Sequence, residues 1–100
     1  MTDKTERNFQ SALVRELKDR FPGCLVTKME SYIQGFPDLV IFYKDKWAFL
    51  ECKRSATAPR QPNQEYYINL GRSMSFASFI YPENKEEVLD ELQRTFEPER

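Results

Sequence analysis

Two short apolar runs in the middle of the chain predict a β-hairpin. Residues 38–43 and 47–50 are mostly aliphatic or aromatic, and a polar connection of hairpin length, residues 44–46, separates them. The apolar residues are consecutive rather than alternating, so we expect helices to cover both faces of both strands. A hairpin symmetric about Asp45 places position 38 opposite position 52 and brings Asp38 close to Glu51.

The pattern on either side of the hairpin predicts helices and further strands. Apolar residues recur at helical spacing near the start of the chain, at Phe9, Leu13, Leu17 and Phe21. The predicted elements outside the hairpin are helices at residues 4–21, 62–74 and 85–96, and strands at residues 24–29 and 76–81. The order αβββαβα predicts an α/β fold with a central mixed sheet flanked by helices, and the length predicts a single domain, residues 1–100.

Three charged side chains are predicted to converge at the open end of the hairpin. Glu51 and Lys53 share one face of their strand, whereas Cys52 points to the other, and Asp38 begins the neighbouring strand. Two neighbouring carboxylates in a partly dry site repel each other, and one of them has its pKa raised. A bound cation removes this cost, and an oxygen-rich site of this kind suits Mg²⁺ or Mn²⁺.

Two further polar side chains are predicted to point towards the same place. Glu6 lies on the apolar stripe of the first helix, which favours a role as a third carboxylate ligand. The alternative is a capping box in which Asp3 caps the helix and Glu6 is its third residue. Gln64 begins the inward face of the helix at 62–74 and is expected to face Lys53; Gln61 fits the spacing less well.

The amino-acid composition excludes several kinds of catalytic site. The sequence contains no histidine, which excludes histidine–metal nucleases and Ser-His hydrolases and leaves carboxylate chemistry. The net charge is −1, but residues 44–72 hold six basic residues against three acids, as expected for a surface that meets phosphates. The two cysteines, Cys24 and Cys52, form no CxxC pair and are expected to be reduced thiols of a cytoplasmic protein. No apolar run approaches membrane-spanning length, and the first residues lack a secretory signal.

The residues that begin and end the hairpin resemble the PD-(D/E)XK nuclease superfamily. Pro37-Asp38 followed by Glu51-Cys52-Lys53 gives the superfamily motif, and the longer pattern with Gly35 and Gln64 resembles its VRR-NUC branch, which includes small stand-alone phage and bacterial nucleases. Many relatives carry a glycine before the last strand, where this chain has Ser75. The resemblance covers nearly the whole chain. It implies a restriction-endonuclease-like fold and Mg²⁺- or Mn²⁺-dependent hydrolysis of DNA, including branched DNA such as Holliday junctions.

The resemblance also implies a role for each candidate residue. Glu6, Asp38, Glu51 and the backbone carbonyl of Cys52 are the expected metal ligands. Lys53 is expected to orient the attacking water or to contact the scissile phosphate, and Gln64 to position Lys53 or the water. A homodimer is expected because a four-way junction has two symmetric strands to cut. Two alternatives stay open: a non-catalytic DNA-binding or assembly module, and a nuclease subunit that is active only with partners.

Overall fold

The predicted hairpin forms the middle of a four-stranded sheet in the computed structural model, which describes residues 4–98. The elements occur in the predicted order αβββαβα. They are the helices α1 (Lys4–Arg20), α2 (Pro62–Met74) and α3 (Lys85–Phe96), and the strands β1 (Leu25–Lys28), β2 (Leu39–Tyr43), β3 (Lys46–Cys52) and β4 (Phe76–Ile80). The strands lie side by side in chain order; β1, β2 and β3 are antiparallel, and β4 is parallel to β3. The expectation of an α/β fold with a mixed sheet is confirmed.

The turn of the hairpin differs from the prediction by one residue. Tyr43 pairs with Lys46, so Lys46 belongs to β3 and the turn consists of Lys44 and Asp45 alone. Lys44 adopts a positive φ of 57°, a conformation that this short turn requires and that the sequence does not signal with a glycine or asparagine. Because Leu39 pairs with Leu50, position 38 lies opposite position 51, whereas the prediction placed it opposite position 52.

The main core lies on the face of the sheet that α1 and α3 cover. Leu13, Leu17 and Phe21 from the α1 side meet Val88, Leu89, Leu92 and Phe96 of α3 over alternate residues of the strands. Phe21 contacts both Tyr43 and Phe96 through tilted or edge-on rings, with centroids 5.4 Å and 5.3 Å apart. This core holds one face of the hairpin along its length, from Tyr43 beside the turn to Leu39 and Cys52 beside the charged residues.

The second face of the sheet is only partly covered. Helix α2 packs on β3 and β4, where Ile68, Ala77 and Phe79 are buried against Phe49. Phe42 of β2, on the same face, is 45% exposed. The expectation that helices cover both faces of both hairpin strands is therefore wrong for this face, because α2 lies over the β4 side of the sheet. None of the helices within residues 4–98 combines the length and the hydrophobicity needed to cross a membrane.

Candidate active site

The end of the hairpin places Asp38 beside the last residues of β3. The Asp38 carbonyl accepts a hydrogen bond from the Met29 amide at 2.8 Å, which extends the β1–β2 pairing to the point where the strands open. The Asp38 carboxylate Oδ2 accepts a hydrogen bond from the backbone amide of Cys52 at 3.0 Å. The side chain of Asp38 is thus held across the ladder, next to Glu51, as the sequence predicted.

Gln64 joins Glu51 to Lys53. Its amide Nε2 donates to Glu51 Oε2 at 3.0 Å, and its carbonyl Oε1 accepts from Lys53 Nζ at 2.8 Å. The same Oε1 also accepts from the backbone amide of Gln61 at 2.9 Å, at the start of α2. The half-buried amide of Gln64 therefore holds both the carboxyl of Glu51 and the ammonium of Lys53. The hydrogen bond from the Gln61 backbone, at the start of α2, holds the amide itself in place.

Lys53 is held from two sides. Its ammonium donates to the carbonyl of Pro59 at 3.0 Å as well as to Gln64, and its backbone amide donates to the carbonyl of Ile80 at 2.9 Å. Only 7% of Lys53 is exposed, so the charge depends on these acceptors rather than on bulk water. The chain from Lys53 to Pro59 folds back over the side chain to supply the second acceptor.

Burial makes Glu51 a weak acid. Its exposed fraction is 4%, and its Oε1 atom is buried without a hydrogen-bond partner among residues 4–98. Burial and, next in size, the negative charge of Asp38 together raise the pKa of Glu51 to about 8, although the charge of Lys53 opposes the increase. Burial also raises the pKa of Asp38, although the hydrogen bond from the Cys52 amide opposes this. In the absence of a cation, Glu51 therefore carries a proton at neutral pH.

Cys52 has a different environment from its two neighbours. Its side chain is buried in the main core, and burial followed by the charges of Asp38 and Glu51 raises the pKa of its thiol. The thiol is therefore not a ready nucleophile. The predicted metal ligand at this position is the backbone carbonyl, and that role stays a prediction.

Glu6 lies half-buried near the start of α1, and its charge contributes to the raised pKa of Glu51. It is thus on the inward side of the helix, as predicted. However, within residues 4–98 no three His, Cys, Asp or Glu side chains are grouped closely enough to hold a metal ion. Asp3, the partner in the alternative capping box, lies outside the described residues. The role of Glu6 as a third ligand stays a prediction.

The chemistry of the site fits a divalent cation. The buried carboxyl of Glu51 lies beside the half-buried carboxyl of Asp38, and one oxygen of Glu51 has no partner within the described part of the chain. A cation would replace the proton that Glu51 otherwise carries and would relieve its repulsion from Asp38. Carboxylate oxygens are the ligands that Mg²⁺ and Mn²⁺ prefer.

The structure adds two contacts that the sequence did not predict. The carbonyl of Pro59 holds Lys53, which depends on the path of the loop and leaves no signal in residue type. Arg60, the next residue, lies over the ring of Phe79 with 4.0 Å between the guanidinium carbon and the ring centroid. Arg60 is exposed, so a guanidinium accessible to solvent lies one residue beyond the carbonyl that holds Lys53.

Comparison with known proteins supports the fold. A solved structure described as "VRR_NUC domain protein" superposes with a TM-score of 0.66 over 95% of this chain and 90% of that chain, at 15% sequence identity. No family model matches the sequence, and no curated protein matches it. The candidate site therefore lies on a VRR_NUC-like, restriction-endonuclease-like fold.

Proposed function

We propose that the protein is a divalent-metal-dependent DNA endonuclease that hydrolyses phosphodiester bonds, with branched DNA such as a Holliday junction as its substrate. The observation that carries this proposal is the connected site at the end of the hairpin. The half-buried Asp38 and the buried Glu51 form a carboxyl pair, and Gln64 links Glu51 to the ammonium of Lys53. The VRR_NUC-like fold supports a nuclease rather than another metal-dependent enzyme.

Asp38 and Glu51 are the residues we assign to the metal, with Glu6 and the Cys52 carbonyl completing the ligand set. When bound, Mg²⁺ or Mn²⁺ supplies a water of lowered pKa and offsets the charge that develops on the phosphate. Glu51 must lose its proton to serve as a ligand, because burial and Asp38 keep it protonated at neutral pH.

Lys53 is assigned to the scissile phosphate or the attacking water. Its ammonium has three protons, of which one goes to Gln64 and another to Pro59. We assign the remaining proton to a phosphate oxygen or to the water. Gln64 binds both side chains, so that the ammonium of Lys53 and the carboxyl of Glu51 keep a fixed separation.

The surface next to the site is assigned to the DNA backbone. Arg60 belongs to the loop that holds Lys53, and its guanidinium lies over the ring of Phe79, which restricts the positions the side chain can take. A guanidinium suits bidentate contact with a phosphate. The basic residues of the segment 44–72 then supply the rest of the electrostatic attraction.

The proposal is tested by incubating the purified protein with end-labelled four-way junctions, flaps and linear duplexes in Mg²⁺, Mn²⁺ or EDTA. We expect cleavage of the branched substrates with either metal and none in EDTA. Lys53→Ala should abolish cleavage, whereas Lys18→Ala, which removes an exposed lysine from α1, should not. Cleavage in EDTA, or undiminished cleavage by Lys53→Ala, contradicts the proposal.

One observation favours a second candidate, a non-catalytic DNA-binding module of the same fold. The described residues contain no three-residue group arranged to hold a metal. Such a module would bind the same junctions equally well with and without EDTA and would never nick them. The same panel, read by gel shift as well as by cleavage, therefore separates the two candidates.

A further inference from the structure

An apolar groove lies on the part of the sheet that α2 leaves uncovered. It has a volume of about 510 Å³, and its walls include Met29, Phe42, Trp47, Phe49 and Met74. None of the side chains that line it carries a charge. A groove without a basic residue does not suit the DNA backbone. The absence of charge instead resembles the centre of a protein–protein interface.

A ridge of apolar side chains on α2 borders the groove. Tyr66, Leu70 and Met74 follow one another at intervals of four residues and so lie along one side of the helix. They are 60%, 40% and 60% exposed, respectively. Met74 also lines the groove, so the ridge and the groove form one continuous surface. The opposite side of α2 is polar, with Glu65, Asn69 and Arg72.

The extent of this surface matches what a dimer requires. At about 200 Å² for a large side chain, the exposed parts of the three ridge residues with Met29 and Phe42 amount to roughly 450–500 Å². A standard interface buries about 800 Å² on each partner, of which about 60% is apolar. The five side chains therefore supply about the apolar area of one half of such an interface.

We propose that a second copy of this chain covers the surface, in a two-fold arrangement where the α2 ridge of each protomer lies in the groove of the other. A ridge beside a groove on the same face is self-complementary under two-fold rotation, because the ridge of each protomer then meets the groove of the other. This inference is independent of the proposed nuclease activity. It adds a location to the homodimer expected from the sequence, for which no interface had been identified.

The proposed interface also includes the helix that carries part of the candidate site. Helix α2 carries Gln64 at its first turn and the ridge on its outer side. Covering the ridge would bury more of the helix that holds Gln64 in place.

The test uses sedimentation equilibrium together with the fluorescence of Trp47, the single tryptophan. Because Trp47 is half-buried in the groove, its emission should shift to longer wavelength on dilution, with the same midpoint as dissociation of the dimer. Phe42→Glu should give a monomer at concentrations where the wild type is dimeric. Ala12→Glu, which places the same charge on the exposed surface of α1, should leave the dimer intact.

Each other outcome overturns the inference. A wild type that is monomeric at all concentrations leaves the groove to a different partner. A dimer whose Trp47 emission does not change on dilution, or that survives Phe42→Glu, uses another surface. If Phe42→Glu fails to fold by circular dichroism, Met74→Glu takes its place, because Met74 is exposed at the end of a helix. A Met74→Glu dimer as tight as the wild type contradicts the proposed interface.

Discussion

The buried Glu51 predicts that the metal-free protein loses stability as the pH rises. In the unfolded chain a glutamate has a pKa near 4.5, whereas in the folded protein the pKa of Glu51 is about 8. Between these values the folded state holds a proton that the unfolded state has released. The free energy of unfolding must then fall with increasing pH, by up to about 1.4 kcal/mol per pH unit from this one group.

The substitution Glu51→Gln isolates this contribution. Glutamine has the shape of a protonated glutamic acid and keeps an oxygen to accept the hydrogen bond from Gln64, but it does not ionise. We expect its free energy of unfolding to fall less steeply than that of the wild type between about pH 5 and about pH 8, with the two diverging by up to about 1.4 kcal/mol per pH unit. Asp38 also has a raised pKa and adds a slope of the same sign, so the difference between the proteins is the informative quantity.

The assay is urea unfolding in EDTA, followed by circular dichroism at one protein concentration over a series of pH values. Asp45→Asn is the matched control, because it removes an exposed carboxylate whose pKa is lowered by Lys46 and which is ionised throughout this window. Its stability should run parallel to that of the wild type. Adding Mg²⁺ at about 100 times its Kd should restore roughly 2.7 kcal/mol to the wild type at high pH, and little to Glu51→Gln. Parallel curves for the wild type and Glu51→Gln would refute the assignment of a buried proton to Glu51.

Three further substitutions test the parts of the site separately. Gln64→Ala removes the acceptor of Lys53 and the donor of Glu51, and we expect a loss of roughly 1–3 kcal/mol in urea unfolding together with slower cleavage, whereas Asn69→Ala on the exposed side of the same helix should do neither. Arg60→Ala should weaken DNA binding and lower the slope of log K against log salt by about 1, unlike Arg15→Ala on α1; an unchanged slope contradicts the assigned phosphate contact. Gly35→Ala meets Asn63 at the start of α2 in addition to a φ of +85°, so it should destabilise the protein more than Gly23→Ala, where φ is +90° and the space is open; equal losses would argue against the close contact.

Much of the fold can be predicted from the sequence because the hydrophobic periodicity and the prolines and glycines place the ends of the helices and strands at the same residues. Pro62 and the apolar spacing after it define α2, and its bounds match the prediction. The register of the hairpin did not follow, because residues 44–46 contain no glycine or asparagine to indicate which residue takes the positive φ. Asp38 lies beside Glu51 because the observed register places position 38 directly opposite position 51, and opposed residues share a face of the sheet.

The uncovered face of the sheet shows what a run of apolar residues cannot predict. Consecutive apolar residues in β2 indicate that both faces are shielded from water, but they do not say what shields them. Val40 is buried beneath its neighbours, whereas Phe42 stays exposed beyond the reach of α2. In the proposed dimer a second protomer covers Phe42. The apolar pattern then indicates correctly that this face is buried, and only the expectation that a helix buries it is wrong.

The candidate site was predictable where it depends on strand alternation and helix spacing. Glu51 and Lys53 face the same side because they are two residues apart, and Gln64 reaches both because it lies in the first turn of α2. Pro59 was not predictable, because a backbone carbonyl is present at every residue and only the path of the loop selects this one. The same applies to Arg60, whose contact with the ring of Phe79 also depends on the path of the loop.

Calorimetric titration of the protein with Mn²⁺ at pH 7, in two buffers of different ionisation enthalpy, tests the central claim most directly. A cation that displaces the proton of Glu51 should release about one proton per ion bound, and Glu51→Gln should bind far more weakly and release none. Absence of Mn²⁺ binding by the wild type, or binding without proton release that Glu51→Gln leaves unchanged, would contradict the account.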